Sequence, residues 1–167
     1  MRIIVIEDNE LYKNELLQCL EQEESDIEIV GSASNGAEGL ALTEKLIRDN
    51  LTPDVIFTDV RMPEVDGFEM IEALQRRGIS CKIVVTSSCP EFLYAKRAME
   101  LGAVDFLVKP LKVYEVRNVL GRLRRELESE KKWKHILNLE YIFLNAMAGK
   151  IKDDQQIGDL IKEGYGI

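Results

Sequence analysis

Five apolar segments alternate with five segments of helical periodicity, and this alternation constrains the fold more than any other feature of the sequence. The predicted strands are 2–6, 27–33, 54–58, 82–86 and 104–108, and the predicted helices are 9–23, 35–48, 68–77, one that Pro90 opens and Gly102 ends, and one from 112 onward. Apolar strands separated by such helices are typical of a parallel sheet with helices on both faces. We therefore predict an α/β fold of five parallel strands.

The fifth predicted helix continues beyond the length that a sheet of this size would cover. Its apolar positions are Val116, Leu120, Leu123 and Leu127, then the polar Glu130 and Lys134, and then a resumed seam near Leu137, Leu144 and Met147. The helix either packs on its own sheet and then frays, or continues and packs on a partner chain or a following domain. We favour the second interpretation, although the repeat is too broken to define a coiled coil.

Three regions follow from this reading. We expect a first domain over 1–122, an extended helical linker over 123–150, and the start of a further helical region over 151–167.

Charge and cysteine content narrow the class of protein. The net charge is −8, and residues 1–120 hold 22 acidic and 13 basic residues, so the first domain is not expected to bind nucleic acid by itself. Cys19, Cys81 and Cys89 form no metal-binding pattern with the sole histidine, His135, and we expect them to be thiols in a reducing cytoplasm. No apolar run predicts a membrane span or a secretory signal.

Chemically active residues follow four of the predicted strands. Glu7 and Asp8 follow the first, Asp59 lies at the end of the third, Thr86 ends the fourth, and Lys109 follows the fifth. Each alone has an ordinary explanation, such as a turn, a helix N-terminal charge or a solvated lysine. Ligands of parallel sheets bind beyond the carboxyl ends of the strands, so we expect these five side chains to share one site.

The chemistry of that site is predictable from its charges. Clustered carboxylates repel, so at least one pKa rises unless a cation lies among them. Hard oxygen ligands suit Mg²⁺, and a metal ion, an ammonium and a hydroxyl together stabilise phosphoryl oxygens. A carboxylate can accept the phosphoryl group as an acyl phosphate, and Asp59, on the predicted central strand, is the best candidate.

These residues carry a resemblance to a known family. Glu7-Asp8 in VIEDN, Asp59 in FTDVRMPEVDG, Thr86 in VVTSS and Lys109-Pro110 in FLVKP make residues 1–125 resemble the receiver domain of two-component response regulators. The resemblance implies a flavodoxin-like fold in which Asp59 accepts a phosphoryl group from a phosphohistidine of a sensor histidine kinase. The chain would then be a phosphoacceptor with self-catalysed transfer and dephosphorylation, not a turnover enzyme.

The resemblance also implies roles for the other site residues. Asp8, Asp59 and the backbone carbonyl of Arg61 would bind Mg²⁺, and Glu7 would help to hold it through water. Thr86 would bond the phosphoryl group, Lys109 would pair with it, and Phe106 would be the aromatic residue that turns inward on activation. Arg61 and Ser88 would flank the pocket, and the Lys109–Pro110 peptide bond would be cis.

The tail and the partners carry further expectations. Residues 131–164 are similar to the segment after the receiver in regulators with an AraC-type DNA-binding domain, which is missing from these 167 residues. DNA would bind only through that domain. A homodimer is expected through the helix-five extension or through the face of helix four, strand five and helix five.

Alternative functions fit the residues less well. Haloacid-dehalogenase-type phosphatases have a second acid two residues after the nucleophile, where this chain has Arg61. A dinucleotide or flavin binder would place a glycine-rich or hydroxyl-rich loop after the first strand, where this chain has EDNELY. A receiver-like interaction and dimerisation module that takes no phosphate remains the alternative.

Overall fold

A computed structural model describes residues 1–22 and 26–148, and within them all five predicted strands are present. The strands are β1 (Arg2–Ile6), β2 (Glu28–Ala33), β3 (Val55–Asp59), β4 (Lys82–Ser87) and β5 (Asp105–Val108). They form one sheet in the order β2-β1-β3-β4-β5, and every neighbouring pair is parallel. The predicted fold class is therefore confirmed, and its strand order is the flavodoxin-like one.

The helices connect successive strands. They are α1 (Glu10–Glu21), α2 (Gly36–Arg48), α3 (Gly67–Arg76), α4 (Phe92–Glu100) and α5 (Val113–Met147). The prediction that Pro90 opens the fourth helix was wrong, because α4 begins at Phe92 after the N-cap residue Glu91. Gly102 does end this helix region: its φ of +79° is a left-handed conformation that favours glycine.

Helices cover the sheet on both faces, as continuous apolar strands require. Consecutive residues Ile3, Ile4 and Val5 of β1 are all fully buried, although their side chains point alternately to opposite faces. Phe57 on β3 and Leu120 on α5 are equally inaccessible. Burial of such side chains contributes roughly 1.5–3 kcal/mol each, so this core holds the strand ends in fixed positions.

The segment between β3 and α3 is fixed by local hydrogen bonds. Asp66 and Glu69 form a capping box, in which each side chain accepts a hydrogen bond from the other residue's backbone N–H. The Gly67 N–H donates to the Val60 carbonyl at 2.9 Å. These contacts close the loop tightly against the end of β3.

The chain divides into two compact units, Met1–Leu123 and Arg124–Ile167. In the first unit, the early turns of α5 are buried at Val116, Val119, Leu120 and Leu123. In the second unit, the described part of the helix leaves eight large apolar side chains exposed: Trp133, Ile136, Leu137, Leu139, Tyr141, Phe143, Leu144 and Met147. The predicted long helix is thus present, while the predicted region 151–167 lies outside the described residues.

None of the helices in the described part of the chain combines the length and the apolar character needed to cross a lipid bilayer. Cys19 is a buried free thiol, and Cys81 and Cys89 are half-buried free thiols.

Candidate phosphoacceptor and metal site

The carboxyl ends of β1, β3, β4 and β5 bring the predicted site residues to one edge of the sheet. β3 is the central strand, and Asp59 is its last residue, as predicted. Asp59 lies in register with Thr86 of β4. Glu7 and Asp8 follow β1 directly, and the Lys109 N–H donates to the Ser87 carbonyl at 2.9 Å, which ties the end of β5 to β4.

Lys109 is the charged centre of the site. Its side chain is only 2% exposed, and its Nζ lies 3.2 Å from Asp59 Oδ1. The same ammonium donates a hydrogen bond to Glu7 Oε2. Starting from β5, the lysine therefore crosses the end of β4 and joins the carboxylates of β1 and β3. The Lys109–Pro110 peptide bond is cis, as the resemblance implies.

Three carboxylates meet beside this ammonium. One oxygen from each of Glu7, Asp8 and Asp59 lies within 4.8 Å of the others, with Glu7 and Asp59 buried and Asp8 exposed. Oxygens at this spacing can share one divalent cation, and an all-oxygen donor set with an open side suits Mg²⁺, which keeps several waters. The donor set therefore fits the metal that the sequence predicts.

A small cleft of about 220 Å³ opens at this site. Its lining residues are Glu7, Asp8, Asn9, Tyr12, Asp59, Arg61, Ser87, Ser88 and Lys109. Arg61 and Ser88 thus flank the pocket as predicted. Because the cleft is open and lined mainly by polar side chains, it suits a phosphoryl group better than an apolar ligand.

Thr86 and Phe106 lie near the site but outside the cleft lining. The Thr86 hydroxyl is buried and lies 3.4 Å from the Thr58 carbonyl, to which it donates. Phe106 is half-buried and packs against the main hydrophobic core. Because neither side chain lines the cleft, a bond from Thr86 to a phosphoryl group on Asp59 would require movement of the Thr86 side chain.

Burial, more than repulsion, shifts the acidity of the site. Removal from water raises the pKa of both Glu7 and Asp59, and the Lys109 ammonium opposes the rise. Repulsion from Asp8 on Asp59, and from Asp59 on Glu7, raises each pKa by a smaller amount. The expected rise is present, but its largest cause is desolvation, which sequence alone does not reveal.

These shifts predict how stability depends on pH without added divalent cation. The pKa values of Glu7 and Asp59 lie above their ordinary values of 4.5 and 3.8. Between the ordinary and the raised pKa of each carboxyl, the native state therefore binds more protons than the unfolded state. The free energy of unfolding falls as pH rises through this range. Asp59→Asn is expected to flatten this slope and to stabilise the protein at neutral pH, as measured by urea unfolding.

The control for this prediction is Asp49→Asn, which removes the same charge from an exposed position at the end of α2. It should leave the slope unchanged. An Asp59→Asn slope equal to that of the wild type would contradict the account of the buried carboxyls.

Sequence reasoning missed three of the cleft residues: Asn9, Tyr12 and Ser87. Asn9 is the N-cap of α1, and Tyr12 lies three residues later, in the first turn of the helix. The sequence shows an asparagine before a helical pattern, which is an N-cap signal, but it does not show the direction of the Tyr12 ring. Ser87 carries no comparable signal, because strand alternation alone does not show which of two adjacent hydroxyls faces a ligand.

Comparison with known proteins identifies the family. Residues 3–120 match the family described as "Response regulator receiver domain". The Transcriptional regulatory protein BtsR of Escherichia coli (strain K12) is 36% identical over 126 residues, covering 75% of this chain and 49% of the relative. A protein-glutamate methylesterase/protein-glutamine glutaminase of Methanospirillum hungatei is 35% identical over 144 residues, covering 85% of this chain and 39% of the relative.

A solved structure agrees with this match. The REC domain of AraT, a response regulator from Geobacillus stearothermophilus, superposes with a TM-score of 0.67 at 27% identity, covering 78% of this chain and 97% of that one. The chain belongs to the response regulator receiver family. The chain spans about half the length of BtsR and a smaller part of the methylesterase. These two relatives have different names, so the match identifies the receiver region that they share and not the rest of either protein.

Proposed function

We propose that this chain is the phosphorylation-activated receiver of a response regulator and that Asp59 is its phosphoacceptor. A sensor histidine kinase supplies the phosphoryl group, and the reaction depends on Mg²⁺. The observation that carries the proposal is the buried Lys109 ammonium, 3.2 Å from Asp59 Oδ1, beside three carboxylates whose oxygens lie within 4.8 Å of one another.

The transfer is a displacement at phosphorus. An Asp59 carboxylate oxygen attacks the phosphorus, a new O–P bond forms, and the bond between phosphorus and the donor's histidine nitrogen breaks. Glu7, Asp8, Asp59 and the Arg61 carbonyl would hold the Mg²⁺, which neutralises phosphoryl charge when bound. Lys109 donates hydrogen bonds to the phosphoryl oxygens, and its fixed position means that little reorganisation is needed during the reaction.

Switching would follow from the added charge. An acyl phosphate adds close to two negative charges and new acceptor oxygens at the end of β3. The Thr86 hydroxyl would leave the Thr58 carbonyl for a phosphoryl oxygen, and Phe106 would turn into the space that Thr86 leaves. Phe106 has no hydroxyl, so burial of its ring alone drives this rotation.

The direct test is phosphorylation by a small donor. The protein is incubated with acetyl phosphate, with and without Mg²⁺, and weighed intact. We expect one phosphoryl adduct in the wild type with Mg²⁺, almost none without it, and none in Asp59→Asn. Asp66→Asn is the matched control, because Asp66 caps α3 outside the carboxylate cluster, and it should still be phosphorylated. An adduct that persists in Asp59→Asn would overturn the assignment.

A second function is favoured by the apolar helix of the second unit. Eight large apolar side chains are exposed between Trp133 and Met147, and an extensive exposed apolar surface usually marks an interface. The chain could therefore act as a receiver-like dimerisation module without phosphorylation. Absence of any adduct in the wild type would favour this function.

Dimerisation through the helix extension has its own test. Deletion of residues 125–167 should convert a dimer into a monomer, as measured by light scattering. In the undivided chain, Leu137→Glu should weaken the dimer, since this side chain is 59% exposed in the single chain and would be buried at the seam. Ser129→Glu, at an exposed position outside the proposed seam, is the control. An unchanged mass after the deletion would remove the helix as the interface.

The face of α4, β5 and α5 is the other proposed dimer surface. It exposes Phe92, Leu93 and Met99 on α4 and Val113 and Tyr114 on α5. If the deletion leaves a dimer, Leu93→Glu tests this face in the same assay.

The remaining proposals concern the whole regulator. We propose a cytoplasmic protein that controls transcription through an AraC-type DNA-binding domain outside these 167 residues. The name of BtsR, a transcriptional regulatory protein, supports the general role without specifying the AraC type. DNA binding by a chain that carries such a domain, measured with and without phosphorylation, would test it.

A further inference from the structure

The aromatic ring of Tyr12 lies over the ammonium of Lys109. The distance from Lys109 Nζ to the ring centroid is 4.5 Å, within the range of a cation–π contact. Tyr12 is half-buried and lines the cleft together with Asp59 and Lys109. The ring therefore borders the place where a phosphoryl group on Asp59 would lie.

Hydrogen bonds at the start of α1 hold Tyr12 in this position. The Asn9 side chain accepts from the backbone N–H groups of Leu11 and Tyr12, at 3.0 and 3.4 Å. The Asn9 N–H in turn donates to Glu7 Oε1 at 3.3 Å, and the other carboxylate oxygen of Glu7 accepts from Lys109. The ring, the helix cap, the glutamate and the lysine thus form one closed set of contacts.

The neighbouring residue shows that this orientation is specific to Tyr12. Leu11 is 73% exposed, so the preceding position on the same helical turn points to solvent. The two positions provide a natural comparison between a side chain that faces the cleft and one that does not.

We propose that Tyr12 is a positioning residue that acts through Lys109 and prolongs the life of the acyl phosphate on Asp59. The inference rests on the proposed function and goes further, since Tyr12 belongs to none of the acid, hydroxyl or metal-binding roles described above. Two carboxylates and the Tyr12 ring surround the ammonium, and the ring is the member of this set that bears no charge.

The ring has two physical effects on the phosphorylated site. A partly desolvated aromatic face attracts the ammonium and limits its hydration, which keeps the N–H donors of Lys109 directed at the phosphoryl oxygens. The ring also narrows the open side of the cleft. Hydrolysis requires a water oxygen to attack phosphorus while the bond from phosphorus to the Asp59 oxygen breaks, releasing inorganic phosphate and the free carboxylate. A smaller side chain would admit water more easily.

The test compares Tyr12→Leu, Tyr12→Phe and the control Leu11→Ala. Each protein is loaded with acetyl phosphate and Mg²⁺, the donor is removed, and the adduct is followed over time by intact mass. We expect Tyr12→Leu to shorten the half-life roughly threefold to tenfold, as loss of one cation–π contact predicts. Tyr12→Phe keeps the ring and should stay within about twofold of the wild type, and Leu11→Ala should not differ from it.

Two outcomes of this assay would overturn the proposal. One is an unchanged half-life in Tyr12→Leu. The other is a half-life in Tyr12→Phe as short as in Tyr12→Leu, which would assign the effect to the hydroxyl. Unfolding midpoints of the three variants, measured in parallel, separate a shortened half-life from a general loss of structure.

A second measurement needs no phosphodonor and separates this proposal from the proposed function. The ring should shift the NMR resonances of the Lys109 Cε protons upfield, with assignment from a Lys109→Arg spectrum. We expect this shift in the wild type and Tyr12→Phe and its loss in Tyr12→Leu. Equal shifts in all three would overturn the contact itself, whereas a wild type that shows the shift but takes no phosphoryl group would overturn the proposed function.

Discussion

Replacing Gly67 with alanine is expected to lower the free energy of unfolding by roughly 4 kcal/mol or more, which is a very large effect for a single substitution. A Cβ added at Gly67 would lie 2.0 Å from the backbone carbonyl oxygen of Asp59, a separation that non-bonded atoms do not adopt. The carbonyl belongs to the central strand and the glycine begins α3, so neither can yield by rotating a side chain. Urea unfolding monitored by circular dichroism measures the loss.

The control for Gly67 is Gly31→Ala on β2. The three atoms nearest to a Cβ at Gly31 would all belong to the side chain of Leu42, the first at 3.0 Å, and that side chain can move. This variant should lose much less stability than Gly67→Ala. Equal losses at the two glycines would show that the close approach of Gly67 to the Asp59 carbonyl does not exclude a side chain at position 67.

Lys109→Met is expected to produce the second largest effect, a loss of about 2–4 kcal/mol at neutral pH. The substitution leaves the buried Glu7 and Asp59 without the cation that now contacts both. Binding of a proton would neutralise each carboxyl and reduce this loss of stability, and burial already raises the pKa of both groups. The loss should therefore shrink as pH falls, and chemical unfolding at several pH values measures both parts of the prediction.

Lys96→Met is the matched control for Lys109. Lys96 pairs with Glu100 on the surface of α4, where both side chains are more than half exposed, and such pairs contribute little. A pH-independent loss in Lys109→Met, or a loss no greater than that of Lys96→Met, would contradict the assignment of Lys109 as the counter-charge of a buried carboxylate pair.

The fold was predictable from sequence because its signals are local. Runs such as 55–57 and 83–85 show continuous apolar character, and the helices between the strands show their own periodicity. Glycine and proline positions predicted the element ends less well: Gly102 ends α4 as expected, whereas Pro90 does not open it. Pro90 is compatible with a helix start, but that compatibility does not require one.

The convergence of the site residues was predictable for a topological reason. Parallel strands place all their carboxyl ends on one edge, so Glu7, Asp8, Asp59 and Lys109 had to approach one another once the sheet was established. Their proximity is confirmed by the shared ion pairs and the 4.8 Å spacing of the carboxylate oxygens. Their roles in phosphoryl transfer stay predictions.

Other features of the site depend on side-chain directions that no pattern encodes. Thr86 donates its hydroxyl to the Thr58 carbonyl instead of facing the cleft, and Tyr12 reaches Lys109 because of how α1 is rotated about its axis. The dominance of burial in raising the pKa of Glu7 likewise depends on packing around the strand ends. Such properties arise only when the whole core is assembled.

Chemical trapping of the phosphorylated residue tests the central claim most directly. Borohydride reduces an acyl phosphate to an alcohol, so an aspartyl phosphate becomes homoserine, which peptide sequencing by mass spectrometry can locate. After treatment with acetyl phosphate and Mg²⁺, we expect homoserine at position 59 and at no other position, and almost none when Mg²⁺ is left out. Reduction products at position 8 instead, or no product in a protein that remains folded, would contradict the claim that Asp59 is a Mg²⁺-dependent phosphoacceptor.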